Sequence, residues 1–386
     1  MDIPKHYKAK PTEIRNFSDA VKRVHKVKPK DYTTFDNTNN RRIRFVLPRK
    51  SLLRGVRSYL RADVTVAGGN VNSLYECFNR MIINVGNQEI MNEREFGFWN
   101  ITKLLAHCQT GHLNSASIKN TGHGNTASDG VKNTRIMPLS NPIWDKRNIF
   151  SELIPLFKCD PIEIIFEINS SLDQYTSGDA TSITIDNVEL VCDLVDSKRL
   201  RAEYGNTVKR AVETQDHQQR TITASSSTVS EILPAKYQNI KSVLFIQRDK
   251  ADVSVGTTGA EYFNNILKQN SIDNIEIDLD GTVYPQRPLR NYQNIAESTK
   301  ALEECWGLWS LGSYHNYEDV NSGRQYGGVP LSVERKVISG IRSANSSGDL
   351  QFRATINNTN DTYMDFFIMY DKILEIDASG AMRIVK

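Results

Sequence analysis

Residues 161–168 read Pro-Ile-Glu-Ile-Ile-Phe-Glu-Ile. Apolar side chains occupy every second position from Ile162 to Ile168, and Glu163 and Glu167 lie between them. Successive side chains of a β-strand point to opposite faces, so this alternation predicts a strand with one face in a core and the other toward water. The same period of two can be followed in both directions from this strand.

Three further segments show the alternation clearly. They are 43–47, 60–66 and 183–194. In the last of them the apolar positions change phase at Asp186-Asn187, and a phase change of one residue predicts a β-bulge. Helical patterns are fewer. The predicted helices are 93–107, 150–157 and 290–309. The sequence therefore predicts an all-β protein with a few short helices.

The order of these pieces occurs twice along the chain. In the first half, a strand ending at Gly86 leads into a helix near Arg94, and in the second half a strand ending at Gly281 leads into a helix near Arg290. The two glycines lie 195 residues apart and the two arginines 196. We therefore predict two copies of one β-domain.

The predicted division of the chain is an arm over 1–36, a first domain over 37–196, a linker over 197–214 and a second domain over 215–386. Each domain combines antiparallel strands with long connections and one or two helices. Such a pattern predicts an eight-stranded sandwich, and the jelly roll is the commonest fold of this kind. The predicted architecture is two tandem eight-stranded antiparallel jelly rolls.

Charge is distributed unevenly along the 386 residues, although 48 Lys and Arg nearly balance 45 Asp and Glu. Residues 1–61 contain 17 basic and 5 acidic side chains, a net of +12, which leaves −9 for the rest. Segregated charge of this kind indicates that one part faces an anionic partner such as nucleic acid or lipid headgroups. The alternative is a solvated basic tail without a partner.

Within this basic segment, residues 12–27 place apolar side chains at helical spacing. The predicted apolar face consists of Ile14, Phe17, Val21 and Val24. Basic side chains lie largely on the opposite side, so the segment is predicted to be an amphipathic helix. Pro29 cannot continue a helix and ends the pattern.

Five stretches of this chain together resemble a known family. They are Asn-Arg-Arg-Ile-Arg-Phe-Val-Leu-Pro at 40–48, Ser-Tyr-Leu-Arg at 58–61, Phe-Asn-Arg-Met-Ile-Ile at 78–83, Phe-Ser-Glu-Leu-Ile-Pro-Leu-Phe at 150–157, and the strand at 161–168. Their order is similar to that in the double jelly-roll major capsid proteins of tailless icosahedral double-stranded DNA viruses, the adenovirus, tectivirus and virophage lineage. The resemblance covers about 37–386, mostly as pattern.

The resemblance implies a structural role without enzymatic activity, cofactor or metal. Three chains would form a pseudo-hexagonal homotrimeric capsomer, and capsomers would tile an icosahedral shell with penton and minor capsid proteins. The arm would lie beneath the shell, against an internal membrane, packaged DNA or a neighbouring capsomer. The basic residues proposed to face the interior are Lys5, Lys8, Lys10, Arg15, Lys22, Arg23, Lys26, Lys28 and Lys30.

Other functions compete with this interpretation. A β-rich penton or spike protein is one alternative, and a carbohydrate-binding β-sandwich is another, for which Trp99, Trp306 and Trp309 would offer sugar platforms. The stretch Asp278-Leu-Asp280-Gly281 looks like the first motif of haloacid-dehalogenase phosphatases, in which one Asp attacks phosphorus. The alternating βα units of that fold are missing, so a tight turn between strands is favoured.

Composition excludes several further classes. No apolar run is long enough to span a membrane as a helix, and the N-terminal residues lack the apolar core of a signal peptide. Synthesis in the host cytoplasm is therefore expected, and the resemblance to capsid proteins implies residence in the virion. The odd number of five cysteines argues against a disulfide scaffold. The group His107, Cys108, His112 and His123 fits no standard zinc spacing, and coincidence is favoured.

Overall fold

The structure is a computed structural model of the chain. It describes residues 19–71, 73–107, 130–140, 147–170, 177–250, 271–290, 295–306, 326–333, 338–357 and 360–385. Within these ranges the chain is built mainly of β-strands, as predicted. The helices are α1 (Phe96–His107), α2 (Lys198–Glu203) and α3 (Ile295–Trp306).

The strands fall into two groups along the sequence. The first group is β1 (Val21–Val27), β2 (Thr34–Asp36), β3 (Arg42–Val46), β4 (Leu52–Arg54), β5 (Tyr59–Asn70), β6 (Phe78–Val85), β7 (Gln88–Arg94), β8 (Asn133–Pro138), β9 (Leu153–Ile154), β10 (Ile162–Ile168) and β11 (Ser177–Asp196). The second group is β12 (Val208–Ile222), β13 (Thr228–Leu233), β14 (Ile240–Asp249), β15 (Ser271–Leu279), β16 (Thr282–Leu289), β17 (Tyr326–Pro330), β18 (Leu350–Asn357), β19 (Thr362–Ile376) and β20 (Met382–Val385).

Each group forms two sheets with one and the same topology. In the second, the sheets run β12-β19-β14-β17 and β13-β18-β15-β16. In the first, β1 and β2 pair with successive parts of β11 and together replace a single first strand, and the sheets run β1/β2-β11-β5-β8 and β3-β10-β6-β7. We number the strands of each half from one to eight, counting β1 and β2 together as the first and leaving out the short strands β4, β9 and β20. In both halves the two sheets then have the strand orders first-eighth-third-sixth and second-seventh-fourth-fifth. Each half is a jelly roll.

We call the two halves the first roll (β1–β11 with α1) and the second roll (β12–β20 with α3). The sheet that holds the first, eighth, third and sixth strands is called the main sheet of its roll. Three short strands, β4, β9 and β20, extend the main sheets. The order of pieces that repeats in the sequence thus reflects two copies of one fold.

The repeated hairpin and helix are the clearest confirmation of the repeat. In the first roll β6 turns at Gly86 (φ +57°) into β7, and α1 follows. In the second roll β15 turns at Asp280 and Gly281, both with positive φ (52° and 80°), into β16, and α3 follows. Positive φ at both central residues suits a tight hairpin turn that Asp-Gly favours. The interpretation of this stretch as a strand and turn is confirmed.

Two cores fill the rolls. Ile164 and Phe166 on β10 are fully buried, while Glu163 and Glu167 pair with Arg44 and Arg42 on the outer side of the sheet. This is the inward and outward alternation that the sequence predicts. The core of the second roll includes Phe352 and Phe366, whose rings lie 4.9 Å apart at a steep angle.

The predicted bulge is also present. The register between β11 and β5 shifts between Asp186 and Glu189, and Asn187 has a positive φ of 47°. Asn tolerates this left-handed conformation better than most residues. The extra residue returns the apolar positions of β11 to the inner face, which explains the change of phase in the sequence.

The amphipathic helix predicted over 12–27 is wrong for its second part. Residues 21–27 form strand β1, hydrogen-bonded to β11 from Val21 opposite Asp196 to Val27 opposite Leu190. Residues 12–18 lie outside the described ranges. Three valines in seven residues favour extended backbone, and pairing with a long neighbouring strand outweighs a weak helical pattern. On a strand, Val21 and Val24 point to opposite faces, so they do not form one apolar stripe.

The helix predicted over 150–157 is also wrong, because Leu153–Ile154 form the short strand β9 and turns surround it. Pro155 follows directly, and a proline disfavours helical backbone at the residue before it. The other two helices begin later than predicted. Gln88–Arg94 belong to β7, so α1 starts at Phe96, and α3 runs over Ile295–Trp306.

The connection between the rolls contains a short helix. Ser197 caps α2 by accepting a hydrogen bond from the Leu200 amide, and Asp19 accepts hydrogen bonds from the Ser197 hydroxyl and the Lys198 amide. Strand β12 then begins at Val208, so it crosses the predicted boundary between residues 214 and 215.

Candidate assembly surface

The two rolls contact each other across the outer face of the main sheet of the second roll. Helix α1 of the first roll and helix α3 lie against this face. The apolar residues of the contact are Phe98, Trp99, Leu244, Ile246, Leu302, Cys305, Phe367 and Met369. Trp99 stacks on Phe367 with ring centroids 4.5 Å apart. Trp99 is therefore a packing residue between the rolls. The side chains of Trp306 and Trp309, the other two tryptophans considered for sugar binding, lie outside the described part of the chain.

A fully buried ion pair lies beside this apolar contact. Asp365 on β19 accepts from Arg248 Nε at 2.6 Å and lies 2.8 Å from His217 Nε2. Burial alone raises the pKa of the Asp365 carboxyl, but Arg248 and His217 outweigh it and hold that pKa at about 2. The guanidinium of Arg248 also lies 4.4 Å from the ring centroid of Phe98 on α1. Arg248 therefore contacts both the Asp365 carboxylate of the second roll and an aromatic ring on helix α1 of the first roll.

A second buried charged group lies further along β19. Asp371 lies 3.3 Å from Arg147 of the first roll and 3.2 Å from Lys241 of β14. Burial raises the pKa of Asp371 to about 6, although both cations oppose the rise. Burial likewise lowers the pKa of Lys241. The carboxylate therefore ties the connection between β8 and β9 to the main sheet of the second roll.

The same connection meets the edge of β12, and we call this contact the seam. The backbone amide of Glu213 donates to the carbonyl of Arg147 at 3.0 Å. Three residues earlier on β12, Arg210 donates to the carbonyl of Leu153 and lies 3.4 Å from Glu152. Residues 147–153 of the first roll therefore cover the outer edge of β12.

The last two strands, β19 and β20, also hold the two rolls together, at a place separate from the seam. Leu374, Ile376 and Met382 belong to the apolar core of the first roll, although they lie on strands of the second. The amide of Asp160 donates to the carbonyl of Gly380 at 3.2 Å. Gly380 has a φ of +97°, and a Cβ there would lie 1.8 Å from the carbonyl oxygen of Lys158. A glycine is therefore required at this point of contact.

The first roll has no comparable cover over its main sheet within the described part of the chain. Strand β1 lies at the edge of that sheet, with Val21 and Val24 exposed by 52% and 61%. Two of its lysines bind acidic residues of β11: Lys26 lies 3.0 Å from Glu189 and Lys22 lies 3.8 Å from Asp193. The exposed edge therefore carries valines among basic side chains, two of which are paired with acids.

The predicted interior-facing residues divide between described and undescribed parts of the chain. Lys5, Lys8, Lys10, Arg15, Ile14 and Phe17 lie outside the described residues. Lys22, Arg23 and Lys26 lie on β1, and Lys28 and Lys30 follow it. The structure does not bring these residues together as one helix face. That they meet an anionic partner remains a prediction.

The residues considered for other chemistry have local structural roles. Asp278 accepts from the Gly281 amide at 2.8 Å, and Asp280 accepts from the Gly348 amide at 2.7 Å. Both carboxylates thus hold the turn between β15 and β16. In the ranges that the structure covers, no group of three acidic, His or Cys side chains is arranged to hold a metal ion, and no helix is long and apolar enough to cross a membrane.

Sequence reasoning missed the seam and the buried charges. The side chains of β12 that face the first roll include Glu213, Gln215 and His217, and a polar strand is normally taken as exposed. The run of nine polar residues from Glu213 to Thr221, directly beside the repeat boundary, was the available signal.

Two jelly rolls of one topology packed side by side in a single chain define the double jelly-roll fold of viral major capsid proteins. VP54 of PBCV-1, in a structure fitted into a reconstruction of the virophage Sputnik, superposes with a TM-score of 0.69 at 12% identity, over 95% of this chain and 97% of that one. The Faustovirus major capsid protein gives 0.57 at 8% identity over 97% and 92%. The mavirus major capsid protein gives 0.56 at 12% identity over 94% and 90%.

No protein-family model matches the sequence, and no curated protein matches it either. The likeness is therefore one of three-dimensional structure, extending over nearly the whole length of both partners. At 8–12% identity it establishes the fold, and the double jelly roll expected from the sequence is confirmed.

Proposed function

We propose that this chain is a major capsid protein, and that three copies form a pseudo-hexagonal capsomer that self-assembles into an icosahedral shell. The observation that carries the proposal is the pair of equivalent rolls packed side by side, in the arrangement of solved major capsid proteins from Faustovirus and mavirus. Three such chains place six similar rolls around one axis. This gives a nearly six-cornered block from a threefold assembly.

The contact between the two rolls supports a subunit in which both rolls act together in a shell. It combines an aromatic cluster, two buried charged groups and strands of the second roll that enter the core of the first. Domains move relative to each other by default unless an extensive contact of this kind joins them. This packing supports the two rolls acting together as one building block of a shell.

The basic arm extends the proposal to partners inside the particle. Of the predicted arm over 1–36, residues 21–27 and 34–36 belong to the first roll as β1 and β2. We expect the basic residues before β1 to contact packaged DNA, an internal membrane or a neighbouring capsomer from beneath the shell. Contact with phosphate releases counterions, so binding to DNA or to anionic lipid should weaken as salt concentration rises. Penton and minor capsid proteins are the expected partners at the edges of the shell, and the virion is the expected location.

The test is the solution mass and shape of the purified full chain. Light scattering should give three times 43.7 kDa, and negative-stain electron microscopy should show hexagonal blocks or closed shells. A stable monomer at all accessible concentrations would overturn the proposal. A monomer retained on glycan columns would favour the carbohydrate-binding alternative instead.

A further inference from the structure

A small cavity lies between the two rolls, beside the stacked rings of Trp99 and Phe367. The first roll lines it from β7, α1 and the connection before β9, and the second roll lines it from β12 and β19. Seven of its nine lining residues are polar or charged. Cavities with polar walls hold ordered water in proteins, whereas apolar cavities stay dry. The cavity is therefore a candidate binding site for a small polar molecule within the contact that joins the rolls.

The side chain of Gln215 on β12, which lines the cavity, supplies the strongest evidence for a ligand. It is 2% exposed, and neither its Nε2 atom nor its Oε1 atom has a hydrogen-bond partner in the described part of the chain. Met369 lies opposite it on β19, and a thioether donates no hydrogen bond and accepts only weakly. Nearly all buried polar side chains of native proteins are hydrogen-bonded. The amide, which can donate two hydrogen bonds and accept two, therefore requires a partner within the cavity.

The size of the cavity limits what this partner can be. The room that it offers to a water-sized molecule is about 20 Å³. One water molecule needs about 10–15 Å³ of such room, so the cavity holds one water and is too small for an organic ligand. Buried waters usually make about three hydrogen bonds to polar groups of the protein. Gln215 supplies such groups from the second roll, and Glu93 and Lys103 supply them from the first.

The charges around the cavity favour a neutral ligand over an ion. Two cations, Lys103 and Arg147, line it together with two carboxylates, Glu93 and Glu213. Lys103 also lies over the ring of Trp99, with its Nζ atom 5.3 Å from the ring centroid. Because neither sign of charge is in excess, an ion would lose its hydration here without gaining an unmatched counter-charge. Water both donates and accepts hydrogen bonds, so it suits these walls better.

We propose that one water molecule binds in this cavity, where it links the Gln215 amide to polar groups of the first roll and so helps to join the two rolls. His217, two residues further along the same face of β12, has its partner in Asp365, 2.8 Å from its Nε2 atom. For Gln215 the water takes the place of such a partner. A bridging water is enthalpically nearly as good as a direct hydrogen bond. The site lies within one chain, so the inference goes beyond the proposed function and does not depend on the capsomer.

A crystal structure of the full chain, at a resolution that shows ordered water, tests the proposal directly. One peak of electron density is expected in the cavity, within about 3.2 Å of an amide atom of Gln215 and of a polar atom of the first roll. An empty cavity would overturn the proposal. A Gln215 amide that is rotated to bond a protein group directly would overturn it as well.

Crystals soaked in bromide distinguish water from an anion in the same cavity. Bromide is located by its anomalous scattering, and no anomalous peak is expected in the cavity because the charges of its walls balance. A bromide peak beside Lys103 or Arg147 would show that the cavity selects an anion, and the assignment to water would be wrong.

The variant Gln215→Met tests the role of the amide. Methionine has a similar length but lacks the amide groups, so the water peak should be lost while Trp99 still stacks on Phe367. Gln247→Met is the matched control. Gln247 on β14 is also fully buried and donates to Thr362 at 3.2 Å, but it does not line the cavity, so this variant should keep the water. An unchanged water peak in Gln215→Met would overturn the role proposed for Gln215.

Discussion

The first strands of the two rolls have the same place in the fold and opposite surroundings. In the second roll, the first strand is β12, which has 15 residues and an outer edge that the first roll covers. In the first roll it is divided into β1 and β2, of seven and three residues, and β1 carries exposed valines. The strand with acidic and amide side chains is covered, and the strand of valines and basic side chains is exposed. Burial here is decided by the partner and not by the hydrophobicity of the strand.

The largest effect is expected where the second roll buries charge beneath the first. Arg248→Ala removes the guanidinium from the fully buried Asp365 and leaves its Oδ2 atom without that cation, and breaking such a pair costs about 3–5 kcal/mol of unfolding free energy. Arg42→Ala in the first roll removes one of the two arginine partners of Glu167 on an exposed sheet face and should cost about 1 kcal/mol or less. Urea denaturation of both variants checks the difference. Equal losses would mean that the two sheet faces are not buried differently.

A pH dependence should come from Asp371, because its pKa is raised to about 6 by burial. The folded chain then holds a proton that the unfolded chain has lost between about pH 4 and pH 6. The free energy of unfolding should therefore fall as pH rises through this window, by up to about 3 kcal/mol from this group.

Melting temperatures between pH 4 and 7 measure this slope in the unaltered chain and in Asp371→Asn. The variant cannot lose the proton, so its curve should be flatter over the same window. Parallel curves for the two proteins would contradict a raised pKa at Asp371.

A smaller effect is expected at the C-terminal contact. Gly380→Ala places a Cβ against the carbonyl of Lys158 at a positive φ and should cost about 1–3 kcal/mol. Gly281→Ala is the matched control, because its φ is also positive (+80°) while no atom lies within 4 Å of the added Cβ. Thermal unfolding separates the two. A loss no greater than that of the control would show that the C-terminal segment does not press against the first roll.

The smallest effect is expected at the uncovered sheet of the first roll. Lys26→Ala removes an ion pair with Glu189 whose lysine is more than half exposed, and about 0.2–1 kcal/mol of unfolding free energy should be lost. Chemical denaturation at low and high salt checks this value, since the contribution should shrink as salt screens it. A loss of several kcal/mol in the isolated chain would show that this face is already desolvated.

Much of the fold could be predicted because alternation and repetition are local signals. Ile164 and Phe166 on β10 face a core, and the change of phase at Asp186-Asn187 marks a bulge, since both follow from the side-chain period of a strand. The two hairpins with their following helices were found because their order repeats. These features depend only on residues close in sequence.

The remaining features of the fold and of the contact between the rolls depend on what covers each strand. The sequence of a strand does not determine what covers it. Val21 and Val24 fit a helix and a strand equally well, and pairing with β11 decides between them. Gln215 on β12 is buried because the first roll covers it, although its sequence is that of an exposed strand. The seam joins residues far apart in the chain, so no short motif could indicate it.

A three-dimensional reconstruction of the purified assembly by electron cryomicroscopy tests the central claim most directly. The account predicts a ring of six rolls from three chains, with the two rolls of each chain joined through the Trp99–Phe367 contact. A single chain, or an assembly without a threefold ring of rolls, would contradict it.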